Sequence, residues 1–220
     1  MLTLYGVYRS RASRNLWLLA ETGTPFTLVP VIQAYRLRDP DAADAPLNTH
    51  SPRFLAMNPA GGIPFMTDGD LHLSESLAIN LYIARTYGGA LGPEDAAEDA
   101  VMQQWALYAV ASVEPHTIGI LNALRDYGAG SPAATAAADA MKRNLERPFG
   151  VLDRVLASGG GHLVGGRFTV ADINMAEVVR YAQSETAFLA GYPALDAWLR
   201  ACQARPAFQA MWARRQAEPE

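Results

Sequence analysis

The sequence predicts an α/β domain over roughly residues 1–86, followed by an all-helical domain over roughly 95–220. Strand-like and helix-like patterns alternate up to Tyr87, which is the signature of a mixed layer architecture. After Gly88-Gly89-Ala90-Leu91-Gly92-Pro93 every periodic stretch has helical spacing. The length of 220 residues suits two modest cores better than one large one.

In chain order, Thr3–Val7 reads as a short buried strand. Ser13–Glu21 follows as a helix, with Leu16, Leu19 and Ala20 at helical spacing, and Thr22-Gly23-Thr24-Pro25 ends it. Phe26–Ile32 is a second strand, so a right-handed βαβ unit is expected. Residues 33–53 are an irregular stretch rich in Asp, Pro and Ala, and Pro52–Met57 makes one or two helical turns. Ile63–Thr67 and Leu71–Leu73 flank Asp68-Gly69-Asp70, a tight hairpin signal. Ser74–Tyr87 is a third helix.

Residues 94–124 read as a long helix bent at Pro115, which removes a backbone donor and crowds the preceding turn. Ala133–Ala157 is another, with Pro148 expected to kink it. Glycine-rich segments bracket His162–Val164; helices are then expected over Thr169–Gln183, Pro193–Arg205 and Pro206–Arg215. No internal repeat is visible.

Composition removes several function classes. Eighteen basic against 22 acidic residues give a formal charge of −4, with no basic run, so no nucleic acid partner is expected. Apolar stretches are too short to span a bilayer. The start, MLTLYGVYRSR, lacks signal-peptide organisation, so the expected location is cytoplasmic. A single cysteine, Cys202, excludes an intrachain disulfide and a CxxC redox pair, and reads as packing. The four histidines have no metal-binding spacing, so no metal is expected.

Two segments invite chemistry. Tyr8-Arg9-Ser10-Arg11-Ala12-Ser13-Arg14 joins the first strand to the first helix, where Ser10 and Ser13 both offer a hydroxyl at a helix N-terminus. Glu75 and Ser76 open the third helix, whose free N–H groups favour a carboxylate ligand; simple capping, with Ser74 as N-cap, is the competing reading. Pro64 alone could merely begin an edge strand.

Read together, Asn58-Pro59-Ala60-Gly61-Gly62-Ile63-Pro64, Asp68-Gly69-Asp70 and Leu73-Ser74-Glu75-Ser76-Leu77-Ala78-Ile79 resemble the cytosolic glutathione transferase family, across essentially the whole chain. The Tyr8–Ser10 segment gives it a bacterial-type, serine-class look, similar to the theta and zeta classes, although the full SSCS-type motif is absent. The resemblance implies a thioredoxin-like first domain (βαβ-ββα) and a detoxifying enzyme. Such an enzyme activates the thiol of bound glutathione, its co-substrate, for attack on a small electrophile, and needs no metal. It implies a cis Pro64, with the Ile63 backbone pairing with the cysteinyl part of glutathione, and Glu75 and Ser76 at the γ-glutamyl end.

By the same resemblance Ser10 stabilises the thiolate, with Tyr5, Tyr8, Arg11 and Ser13 as competitors. Many relatives carry a lysine where this chain has Gly62; Arg11, His50 or Arg53 are the candidates to replace it at the glycyl carboxylate. The electrophile is expected against Trp105, Tyr108, Ser112, His116 and Tyr181, although Glu114-Pro115-His116 also reads as a buried histidine beside a kink. Gly166-Arg167-Phe168-Thr169-Val170-Ala171-Asp172-Ile173 matches the family's folding signature, with Thr169 and Asp172 as a capping box and Phe168 with Ile173 as its staple. A homodimer is implied. Glutathione-dependent isomerisation, dehalogenation or peroxide reduction, and a non-catalytic binding module, are the alternatives on this scaffold.

Overall fold

The structure, a computed structural model, describes residues 1–219. The chain forms two compact units: Met1–Gly89 together with the segment from Pro206 onward, and Ala90–Arg205.

The first unit is built on four strands: β1 (Thr3–Tyr5), β2 (Thr27–Val29), β3 (Phe65–Asp68) and β4 (Leu71–Ser74). Their order is β2-β1-β3-β4. Helix α1 (Ser13–Thr22) crosses from β1 to the parallel β2 and stops at Gly23 in a left-handed conformation, φ 64°. β1 pairs antiparallel with β3, placing Tyr5 opposite Phe65, and β3 turns back into β4. The expected strand Phe26–Ile32 is cut to three residues because Pro30 cannot donate to the ladder; Ile32 instead bridges Asn48.

Alternation along the strands divides the interior. Leu4 and Met66 are fully buried on one face, while Tyr5 and Phe65 turn to the other and meet Phe54 of α2 (Pro52–Met57). Tyr5 is therefore a packing residue. Helix α3 (Ser76–Tyr87) starts two residues later than its pattern suggests, because Ser74 pairs with Phe65 as the end of β4.

Pro206 onward belongs to this unit and not to the helical domain expected over 95–220. Phe208 packs edge-on against fully buried Trp17 of α1, ring centroids 4.9 Å apart.

The second unit is all-helical among its described residues. It comprises α4 (Ala96–Tyr108), α5 (Glu114–Tyr127), α6 (Pro132–Ser158), α7 (Val170–Val179), α8 (Thr186–Leu189) and α9 (Pro193–Gln203). Between α4 and α5 the chain does not break; Ala109–Val113 is a π-helical turn, with the Glu114 amide donating to the Ala109 carbonyl. Pro115 lacks a donor and crowds Ala111, and widening the preceding turn accommodates both. The expected helix Thr169–Gln183 shortens to α7 and tightens into a 3-10 turn at Arg180–Ala182.

Asp172 organises the start of α7. Its carboxylate, 0% exposed, accepts from the backbone of Thr169 (2.9 Å) and Leu163 (3.2 Å) and from Trp198 Nε1 (2.9 Å). Burial pushes the carboxyl pKa up and these donors oppose the shift. Asp172→Ala orphans three buried donors, so a loss of about 3 kcal/mol or more is expected, read as a lower urea midpoint at constant m-value.

Arg167 grips Glu98 with two bonds of 2.7 Å and donates to the carbonyls of Ala90 and Gly92. The hydrogen bonds from Arg167 hold the Glu98 carboxyl down to about 2. Its unfolded value is about 4.3, so the ionised pair stabilises fully above that pH, and the contribution disappears as pH falls toward 2. The stability difference between wild type and Arg167→Ala is accordingly expected to be largest near neutrality and to close by about pH 2 in thermal melts.

Candidate active site

Strand register assembles this site. Tyr5 ends β1, Phe65 begins β3 and Ser74 ends β4, and the three are neighbours across the sheet. The chain that follows Tyr5, the chain that precedes Phe65 and the chain that follows Ser74 therefore lie at one end of the sheet. Ile63–Pro64, Glu75–Ser76 and the loop that carries Ser10, far apart in sequence, all adjoin the sheet at this end.

Gly6 permits the closeness. A Cβ at this position would sit 2.9 Å from the Ala12 side chain, with Ile63 and Pro64 immediately beyond at 3.8 and 3.9 Å. The Ile63–Pro64 peptide is cis. Asn58 fixes the approach to it: its buried carboxamide donates to the Gly62 carbonyl (2.8 Å) and accepts from the Ser74 hydroxyl (3.2 Å).

Ser10 makes two short bonds within its own loop. Its hydroxyl donates to the Val7 carbonyl at 2.7 Å and accepts from the Ala12 amide at 3.0 Å. The Ser10 hydroxyl thus provides a side-chain acceptor at the entrance to α1; Ser13, the first residue of that helix, is 0% exposed. Tyr8 is half-buried beneath Arg214, whose Nη1 donates to its hydroxyl at 3.3 Å.

The third helix is entered through Glu75, which adopts φ 69°, the only positive φ outside glycine among the described residues. A non-glycine residue held there costs of order 1–3 kcal/mol, which the surrounding contacts must offset. The result is an exposed Glu75 carboxylate and a Ser76 hydroxyl tucked into the interior, 5% exposed. Arg14 Nη1 donates to that hydroxyl at 3.0 Å from a guanidinium that is itself 1% exposed. Asn15 ties the same corner, donating to the Ser76 carbonyl (2.8 Å) and the Asn80 side chain (2.7 Å), and Asn80 donates to the Arg14 carbonyl.

Asn80 was not signalled by sequence, and Asn58 and Arg14 only as members of the Asn58–Pro64 and Tyr8–Arg14 stretches, with no role of their own. Buried polar residues on helices, such as Arg14 and Asn80, follow no apolar periodicity.

The substitutes for the missing lysine stand apart. Arg11, His50 and Arg53 are all exposed; His50 lies with its Nδ1 3.8 Å from Asp41, and its amide donates to Asn48. Gly62 itself is exposed, and a Cβ there would meet nothing within 4 Å.

Within the helical unit, Trp105 and Tyr108 lie on α4 with ring centroids 5.6 Å apart, Ser112 falls in the π turn, and His116 lies on α5. Tyr108, Ser112 and His116 are half-buried along one flank of this long helix. Burial pushes the Tyr108 phenol up, opposed by the charges of Arg147 and Arg154. Trp105 and Tyr181 are buried, and Tyr181 lies beneath the Arg180 guanidinium, which also pairs with Glu177 at 2.7 Å. The expected buried histidine is not found: in Glu114-Pro115-His116 the buried member is Glu114. The extra residue of the π turn advances the following face by one position, which turns Glu114 inward.

Known proteins resemble this chain along most of its length. Residues 1–85 match the description "Glutathione S-transferase, N-terminal domain", and residues 115–206 match "Glutathione S-transferase, C-terminal domain". The chain is 34% identical to glutathione S-transferase 3 of Zea mays, over 94% of this chain and 91% of that protein. It is 30% identical to a probable maleylacetoacetate isomerase of Vibrio cholerae, over 72% of this chain and 74% of that protein. Among solved structures it resembles maize glutathione S-transferase I in complex with an atrazine–glutathione conjugate, with a TM-score of 0.80, 26% identity and 99% of each chain covered.

Given the open space at Gly62, Gly62→Lys is expected to tighten glutathione binding about two- to fivefold, the worth of one exposed ion pair. Calorimetry at low salt measures it, and the melting temperature should not move.

Proposed function

We propose a residue-level mechanism for this chain on the premise that it belongs to the glutathione S-transferase family. The chain is a glutathione transferase: it takes glutathione as co-substrate and directs its sulfur onto an electrophile. The observation that supports the residue assignment is that Ile63–Pro64, Glu75–Ser76 and the Ser10 loop all adjoin one end of the sheet.

In this reading the Ile63 backbone pairs with the cysteinyl unit as a short added strand. The γ-glutamyl carboxylate lies against the Ser76 hydroxyl at the N-terminus of α3, in the field of the buried Arg14 guanidinium, while Glu75 meets the ammonium. Arg11 and His50 contribute to the glycyl end from the surface. Trp105, Tyr108, Ser112, His116 and Tyr181 provide the surface for the electrophile.

Ser10 activates the thiol by changing acceptor. Its hydrogen, resting on the Val7 carbonyl, rotates to the sulfur while the Ala12 amide keeps the oxygen in place. The exchange trades a neutral hydrogen bond of about 0.5–1.5 kcal/mol for a charge-assisted one of about 1.5–3 kcal/mol. The net gain of about 1–1.5 kcal/mol lowers the thiol pKa by about one unit. The N-terminus of α1 contributes a further 0.3–1 kcal/mol or so. Catalysis is then positioning plus electrostatic stabilisation of a bound nucleophile, with no covalent bond to the protein.

The subclass reading, a bacterial-type serine enzyme of theta or zeta look, rests on the Tyr8–Ser10 segment; the plant transferases among its relatives favour a plant-like subclass. The likeness to the Vibrio cholerae isomerase favours a second reaction on the same site, cis–trans isomerisation of a small unsaturated diacid. A cytoplasmic homodimer is the proposed working form. No described helix is long and apolar enough to cross a membrane, and Val101 and Leu107 on α4 with Val110 in the π turn present apolar side chains for a second copy to cover.

Ser10→Ala is expected to raise the pKa of bound glutathione by about one unit and to move the pH–rate profile with it. Turnover of a chloronitrobenzene follows this, after calorimetry has established glutathione binding; no binding at millimolar glutathione overturns the transferase and the isomerase together. Glutathione consumption separates those two, since conjugation uses one equivalent and isomerisation none.

A further inference from the structure

The loop that carries Ser10 is held by residues more than 200 positions later in the chain. In the segment that follows α10 (Pro206–Ala217), the Glu218 carboxylate accepts from two consecutive amides, Tyr8 at 3.0 Å and Arg9 at 2.6 Å. Arg215, on α10, donates through Nη1 to the carbonyls of Tyr8 and Ser10, the latter at 3.2 Å. Arg9 returns a bond to the Glu218 carbonyl at 3.0 Å, and Arg36 donates to the Pro219 carbonyl at 2.6 Å. The Arg9 carbonyl accepts from Gln33, and the Val7 carbonyl from Ser10 itself.

Four backbone groups of this short loop thus bond to α10 and its extension, the Ser10 carbonyl also accepting from the Ser13 amide at 3.3 Å. No sheet ladder runs through Tyr8–Ser10 to hold it otherwise. A loop whose hydroxyl must meet a sulfur within hydrogen-bond reach depends on such external fixing. The partners are charged, and charge-assisted bonds are the stronger kind.

We propose that Glu218 and Arg215 are positioning residues for the thiol-activating serine. Ser10 meets the thiolate, and Glu218 and Arg215 hold the backbone that aims it. The inference rests on the Ser10 reading above. For Glu218 it carries a sign that separates it from simple electrostatics. A nearby carboxylate disfavours a thiolate, so removing Glu218 only as a charge lowers the thiol pKa. Removing it as a clamp misplaces Ser10 and raises that pKa.

The test titrates the thiolate absorbance of bound glutathione in wild type, S10A, E218A, E218Q, R215A and the S10A/E218A pair. E218A and R215A are expected to raise the midpoint by about half a unit or more. Below the midpoint kcat/KM falls about threefold to tenfold, with KM for glutathione within about twofold. E218Q, with one acceptor left, falls between. In the S10A background E218A adds nothing, because its effect passes through the serine. A chain truncated after Ala217 keeps α10 whole and repeats the measurement should a point variant lose stability. An unchanged or lowered midpoint in E218A and R215A, or a full additional shift in the S10A background, overturns the proposal. If S10A moves the midpoint and E218A does not, this inference alone fails. If S10A leaves it in place, the serine assignment fails and this inference falls with it.

Discussion

The antiparallel pairing of Tyr5 with Phe65 is the constraint on which the first unit depends. It places the end of β1 beside the start of β3, and the β3–β4 hairpin carries the end of β4 to the same edge. A slip of one residue would turn Leu4 toward the Phe54 cluster and Tyr5 away from it, exchanging the two buried faces. It would also carry the cis Ile63–Pro64 peptide away from its place beside Gly6. Hydrophobic burial thus sets the register, and the register sets the site.

What fills the corner between α1 and α3 is polar. Arg14, Asn15, Ser76 and Asn80 are almost wholly buried and bonded to one another. Apolar side chains of similar size would stabilise the unit at least as well. The arrangement makes physical sense as a rigid anchor for a hydroxyl at a helix N-terminus, held by side chains on two regular elements. Ser10 is supported differently. It lies on irregular backbone, so its orientation depends on Gly6, on its own bonds to Val7 and Ala12, and on α10 folded back against α1. In the second unit Asp172 plays the corresponding part for α7, a buried carboxylate whose bonds join three separate stretches of chain.

Much of this was legible from residues. The Thr169–Asp172 capping box was visible because its parts lie within one turn of helix, and it is present. The alternation of strand and helix, the turn at Gly69 and the length of α6 are local properties and follow local chemistry. Errors fell where a distant partner overrode the local preference. Ser74 is a good N-cap by type, yet Phe65 and Asn58 draw it into the sheet. His116 read as buried beside the Pro115 kink, but the buried residue there is Glu114, which follows the π turn.

The sequence by itself determined the two-part fold class and the family, because glycine, proline and short-range spacing fix turns, caps and motifs within a few residues. Only the tertiary structure decided that α10 joins the first unit, that Arg14 stands behind Ser76, and that Glu218 holds the amides beside Ser10. Those are pairings of charges and dipoles separated by 62 and about 210 positions. No periodicity encodes them, since a buried ion or a clamped loop depends on which surfaces the folded chain brings together.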